Sequence, residues 1–133
     1  LNLIVKTRYF EAYEMACKCG CGRLNYCNLF IMYLEVFRDI LNFPLMVTSG
    51  CRCKSHNKAV GGKSNSCHEC TTKLATAVDV KPYKEDYGSC EAIYNLAVKL
   101  GFFNEVIWYK SSGFVHLGID KNQNYDYYKI EDK

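Results

Sequence analysis

The chain has 133 residues, 49% of them apolar and 14% aromatic, and a formal net charge of +3. Such a composition belongs to a folded domain, not a disordered segment, and the length suits one domain with its own core. No run of about 18 apolar residues occurs, so no membrane span is expected, and a mild charge without a basic stripe gives no argument for nucleic acid.

In chain order, the first dozen residues read as a strand-like or irregular lead-in, and Leu1 to Val5 is too short for a secretory hydrophobic region. Asn28 is expected to cap an amphipathic helix from Leu29 to Leu41, with Leu29, Met32, Tyr33, Val36, Phe37 and Ile40 on one face. Asn42-Phe43-Pro44 stops it, because proline disfavours helix in the residue before it. Leu45 to Thr48 reads as a short strand that delivers Ser49 to Arg52, and residues 54–73 read as a long polar loop of the kind that carries function. Leu74 to Val80 is a second strand, ended by Lys81-Pro82. Ser89 caps a helix over Glu91 to Leu100, and Gly101 closes it. Glu105 to Tyr109 and Phe114 to Ile119 form a β-hairpin around Lys110-Ser111-Ser112-Gly113. The tail from Lys121 is either a final strand or a mobile end. The predicted class is α+β, a single domain over 1–133 with helices packed on a mainly antiparallel sheet.

The chemistry concentrates in His68, Asp79 and His116. The chain has only three histidines, and two of them fall in this set. Two imidazoles and one carboxylate suit zinc and leave a fourth position open, as in catalytic rather than structural zinc sites. Taken singly, His68 reads as a polar loop residue and His116 as a core histidine. Asp79 shifts the balance, because a carboxylate between Val78 and Val80 is expected to be buried and then needs a partner or a metal. The ligands would come from a loop and separate strands, not from one helix.

Nine cysteines stand at 17, 19, 21, 27, 51, 53, 67, 70 and 90, an odd count that forbids complete internal pairing. Cys17, Cys19 and Cys21, and the pair Cys67 and Cys70, have ligand-like spacings that suggest a second metal. A zinc ribbon wants two Cys-x-x-Cys knuckles, and only Cys67 to Cys70 has that spacing, so buried thiols or disulfides are the expected state. No Cys-His pair is marked out for a cysteine protease.

The ordered series Cys17 to Gly22, Ser49-Gly50-Cys51-Arg52-Cys53, His56-Asn57, Val60-Gly61-Gly62, Ser66-Cys67-His68, Ala77-Val78-Asp79-Val80 and Phe114-Val115-His116 resembles the zinc D-Ala-D-Ala carboxypeptidase family. It is most similar to the short, single-domain branch that cuts peptidoglycan peptides, and the resemblance covers roughly residues 10–120. It implies a Hedgehog/DD-peptidase-like fold, Zn2+ held by His68, Asp79 and His116, a peptidoglycan peptide as substrate, and action at the cell wall in phage lysis or wall remodelling. It further implies that Arg52 faces substrate and stabilises the oxyanion, and that Ser66 contacts substrate. His56 is expected to organise its loop, and the domain to act as a monomer.

Three departures accompany the resemblance. Glu69 to Lys73 reads as an insertion between the first two ligands, Ala75 stands where the family generally has Gly, and the two customary positions of the acidic base are Gly113 and Gly118. Asp120 is the preferred replacement base, since 116, 118 and 120 alternate onto one strand face, with Glu69 and Glu105 as the other candidates. Loss of that acid keeps a second reading open, a zinc-bearing binding module of the same fold that no longer catalyses. A cysteine-rich structural domain built on a thiolate zinc cluster is the weaker third.

Overall fold

The structure is a computed structural model and describes residues 7–133. The Leu1 to Val5 segment lies outside the described residues. Five strands, β1 (Leu45–Ser49), β2 (Ala77–Pro82), β3 (Glu105–Tyr109), β4 (Phe114–Gly118) and β5 (Tyr127–Glu131), form one sheet in the order β1-β2-β4-β3-β5. Neighbours run antiparallel except β3 and β5, which are parallel. Among the described residues four helices accompany it: α1 (Ala12–Met15), α2 (Asn28–Ile40), α3 (Lys54–Ala59) and α4 (Cys90–Leu100). The class is α+β, as the sequence suggested.

Side-chain alternation divides the sheet into a packing face and a chemical face. Val78, Val80, Val106, Val115 and Leu117 join one buried cluster with Phe30, Leu34 and Phe37 of α2, Ile93 and Ala97 of α4, and Phe103. The alternate positions Asp79, His116 and Glu105 turn the other way, beneath the long segment between β1 and β2. Central strands buried on both faces explain why Ala77 to Val80 is closed to solvent throughout.

The face expected of α2 is corrected in part by the structure: Phe37 is buried and Tyr33 packs against the core as expected, but the rest of that face is not. Phe30, Ile31, Leu34 and Phe37 are buried, whereas Leu29, Met32, Val36 and Ile40 are exposed. The helix is apolar on two overlapping stripes, so periodicity marks a helix without saying which stripe meets the sheet. Phe30 and Phe37 both pack on Phe103, with ring centroids 5.8 and 5.7 Å apart, and this aromatic cluster sets the rotation. The first residue of α2 is Asn28 itself, with Cys27 as its N-cap.

Other expectations are met with small shifts of boundary. Ser89 Oγ accepts from the Ala92 amide at 3.1 Å, and Gly101 closes α4 in a left-handed conformation. The hairpin forms with Glu105 opposite Gly118 and Ile107 opposite His116. The predicted loop 54–73 holds the short helix α3, and the second strand starts at Ala77, with Leu74 half exposed. The tail is a strand: Tyr127 to Glu131 pairs in parallel with Glu105 to Tyr109.

Candidate metal centre and cleft

The sheet register brings two of the three predicted ligands together directly, for Asp79 of β2 is the partner of His116 on β4. His68 arrives from the loop through a parallel bridge. The Arg52 amide donates to the His68 carbonyl at 2.7 Å, and the Cys70 amide donates to the Arg52 carbonyl at 2.8 Å. His68 Nε2 then lies 3.1 Å from Asp79 Oδ1 and 3.3 Å from His116 Nδ1, and His116 Nδ1 lies 3.0 Å from the same Asp79 oxygen.

Each imidazole has its tautomer set by its far nitrogen. His68 Nδ1 is 2.7 Å from the Gly50 carbonyl, which can only accept, so that nitrogen carries the hydrogen and Nε2 presents a lone pair. His116 Nε2 is 2.9 Å from Glu105 Oε1, which leaves Nδ1 to face Asp79. Histidine ligands of metals are oriented in this way by an acceptor on the other nitrogen. Tetrahedral zinc with arms of about 2.0–2.1 Å has donor–donor edges of roughly 3.3 Å, so the set fits the ion with little adjustment.

The electrostatics favour a cation. Burial pushes the Asp79 carboxyl up, but the charges and hydrogen bonds of His68 and His116 outweigh it and hold the group well below the usual carboxylate range. Burial also works against a charged His116, yet its bonds to Asp79 and Glu105 prevail and raise its pKa to about 9. The His116 hydrogen bond in turn lowers Glu105, against the effect of burial. Two carboxylates thus hold one positive charge at the centre, and a divalent ion would meet the same field.

The remaining predicted residues divide between the site and its supports. Arg52 is anchored on three sides: Nε donates to Ser49 Oγ at 3.0 Å, Nη1 to Asn57 Oδ1 at 3.1 Å, and Nη2 to Asp79 Oδ2 at 3.4 Å. It therefore holds the second oxygen of Asp79 while still lining the cleft. Ser66 also lines the cleft, and its Oγ accepts from the His68 amide at 3.2 Å. His56 lies in α3, where its amide donates to Cys53 Sγ at 3.4 Å. Glu69 is buried away from the three ligands, accepting from the Thr71 amide at 2.6 Å, the Thr72 amide at 3.2 Å and the Thr72 hydroxyl at 2.9 Å. Asp120 stands beyond the end of β4, where its carboxylate accepts from the Asn122 amide at 3.0 Å. Its free reach is toward Cys67 and Glu105, not toward the ligand set.

Glu105 is the acid at the centre, and Gly118 is the reason it can be there. A Cβ at Gly118 would come within 2.8 Å of Glu105 Oε1 and 2.9 Å of His116 Nε2. The neighbouring strand's carboxylate thus fills the space that a side chain at 118 would need. From sequence Asp120 and Glu69 stand ahead of Glu105, because the pairing of Glu105 with Gly118 is a property of strand register. The hairpin already marked in the sequence was the available signal.

The three predicted ligands open on a cleft of about 510 Å³ that Tyr109, Phe114, Tyr125 and Tyr127 also line. That volume suits a peptide of a few residues. The sequence matches the Peptidase M15 family over residues 8–118. The match spans most of the chain, and the protein belongs to that family, whose members are zinc enzymes. No curated protein matches the chain.

Proposed function

We propose that the protein is a zinc peptidase acting on peptides of the peptidoglycan type, with His68 Nε2, Asp79 Oδ1 and His116 Nδ1 as metal ligands. One observation carries this reading: three donor atoms face one another at 3.0–3.3 Å while the far nitrogen of each imidazole has its own acceptor. Zinc, when bound there, supplies a Lewis acid that polarises a carbonyl and acidifies a water.

The chain's own residues supply the rest. Glu105 fixes the orientation of His116, and its carboxylate is the acid nearest the ligand set that also lines the cleft. It stays ionised at neutral pH and serves as the proton acceptor for the attacking water, returning the proton to the leaving amine as the C–N bond breaks. Arg52 steadies Asp79 and keeps unused N–H donors for a substrate carbonyl or carboxylate. Ser66 shapes the wall beside His68. In this reading Glu69 and Asp120 are structural, the first folding its loop and the second the turn after β4. The proposed setting is lysis or remodelling of the bacterial cell wall, which a net charge of +3 suits. A binding module without catalysis is the second reading, favoured by the lack of a side chain at both Gly113 and Gly118.

Mass analysis of purified peptidoglycan incubated with the zinc-loaded protein tests both. New fragments gaining one water per cut, and lost on chelation, are expected. Glu105→Gln at saturating zinc should slow their release by about 10²–10⁴. No release by the zinc-loaded parent would leave the binding module; undiminished release by the variant would remove Glu105 from proton transfer.

A further inference from the structure

Away from this site, Cys17, Cys19, Cys21 and Cys53 bring four sulfur atoms within 4.8 Å of one another. All are free thiols. Cys17 Sγ lies 3.5 Å from Cys19 Sγ, which lies 3.7 Å from Cys53 Sγ. These separations are far beyond a disulfide bond, which is about 2.05 Å long. They match the edge of a tetrahedral tetrathiolate zinc, roughly 3.8 Å for Zn–S arms of about 2.3 Å. We propose that Cys17, Cys19, Cys21 and Cys53 bind a second, structural zinc ion.

The local backbone is built for convergence. Gly20 and Gly22 have φ of +92° and +77°, a left-handed conformation that L side chains rarely adopt. These turns curl the segment so that cysteines two apart point at one centre, where an extended strand would also align them but spread them along its length. The Cys17 amide donates to the Arg23 carbonyl at 2.9 Å and closes the loop. Two of the sulfurs already accept amide hydrogens, Cys17 Sγ from the Cys53 amide at 3.3 Å and Cys53 Sγ from the His56 amide at 3.4 Å. Amide donors of this kind support thiolate ligands from the outer shell. Lys18, Arg23 and Lys54 flank the cysteines in sequence. Cys19 and Cys21 are exposed, so without an ion the cluster would present unprotected thiols to solvent.

The consequence for the fold is a staple. The ion joins the loop before α2 to the residue that follows Arg52 and caps α3, and so braces the segment that carries Arg52. Neither closed tetrathiolate coordination nor this position makes the second ion catalytic.

The test uses the full chain purified anaerobically with reductant. Metal analysis should give two zinc ions per chain, and zinc X-ray absorption should show sulfur at about 2.3 Å together with nitrogen or oxygen at about 2.0–2.1 Å. Cobalt substitution should produce sulfur-to-metal charge-transfer bands, and Cys19→Ser with Cys21→Ser should abolish them and remove one ion. Both positions are exposed, and the spectra of the unmutated chain stand even if the double variant folds poorly. Nitrogen and oxygen scattering alone, or a disulfide at Cys17, Cys19, Cys21 or Cys53 found by mass analysis, would overturn the assignment. Sulfur bands report only on thiolates, so this outcome is independent of the metal at His68, Asp79 and His116.

Discussion

At the scale of single residues, His116 gives the sharpest expectation. Its pKa of about 9 lies above the ordinary value, so the metal-free protein carries a proton there at neutral pH. Zinc needs the neutral imidazole. Binding near pH 7 should therefore release about one proton, and affinity should rise with pH until it levels above pH 9. Calorimetry in buffers of different ionisation heat measures that release; a value near zero at pH 7 would show that His116 is already neutral. The same shift has a stability side. In the metal-free protein this group's contribution is complete below a pH of about 6.5 and is lost as pH rises through about 9. Residue types and their order made His68, Asp79 and His116 legible, because a carboxylate between valines needs an explanation. Glu105 was less legible, because only the pairing of β3 with β4 carries it to His116.

At the scale of elements, α2 shows what a periodic pattern conveys. Its start, length and helical character follow from Asn28 to Ile40, but its buried stripe is decided by Phe103, far along the chain. Phe30→Ala should destabilise the domain by about 3–5 kcal/mol, since the ring is buried and lies only on the stripe that meets the sheet. Ile40→Lys, on the stripe that sequence alone assigned to the core, should change stability by no more than about 0.5 kcal/mol. Denaturant unfolding of the two variants decides between the stripes, and equal losses would restore the sequence-based assignment. The hairpin and α4 were readable for a different reason: their ends are fixed by local chemistry, in Ser89, Gly101 and the turn at Gly113.

At the scale of the whole molecule, the α+β class was readable from the succession of elements, but the parallel β5 was not. A parallel edge strand depends on where the tail lands, and the tail could equally have been free. Its landing divides the cleft by origin. His68, Asp79 and His116 lie within residues 8–118, the span that matches the family, while Gln123, Tyr125, Tyr127 and Glu131 of the cleft lining all come after it. The proposed metal ligands and these later lining residues are therefore consecutive along the chain. Tyr125→Ala with Tyr127→Ala should leave zinc content unchanged while altering which peptides are cut, as fragment analysis on a panel of wall peptides would read. Zinc loss in that variant would show the two sets to be inseparable. The wider consequence concerns inheritance: a lineage could exchange residues 119–133 for others and reshape one side of the cleft without touching His68, Asp79 or His116.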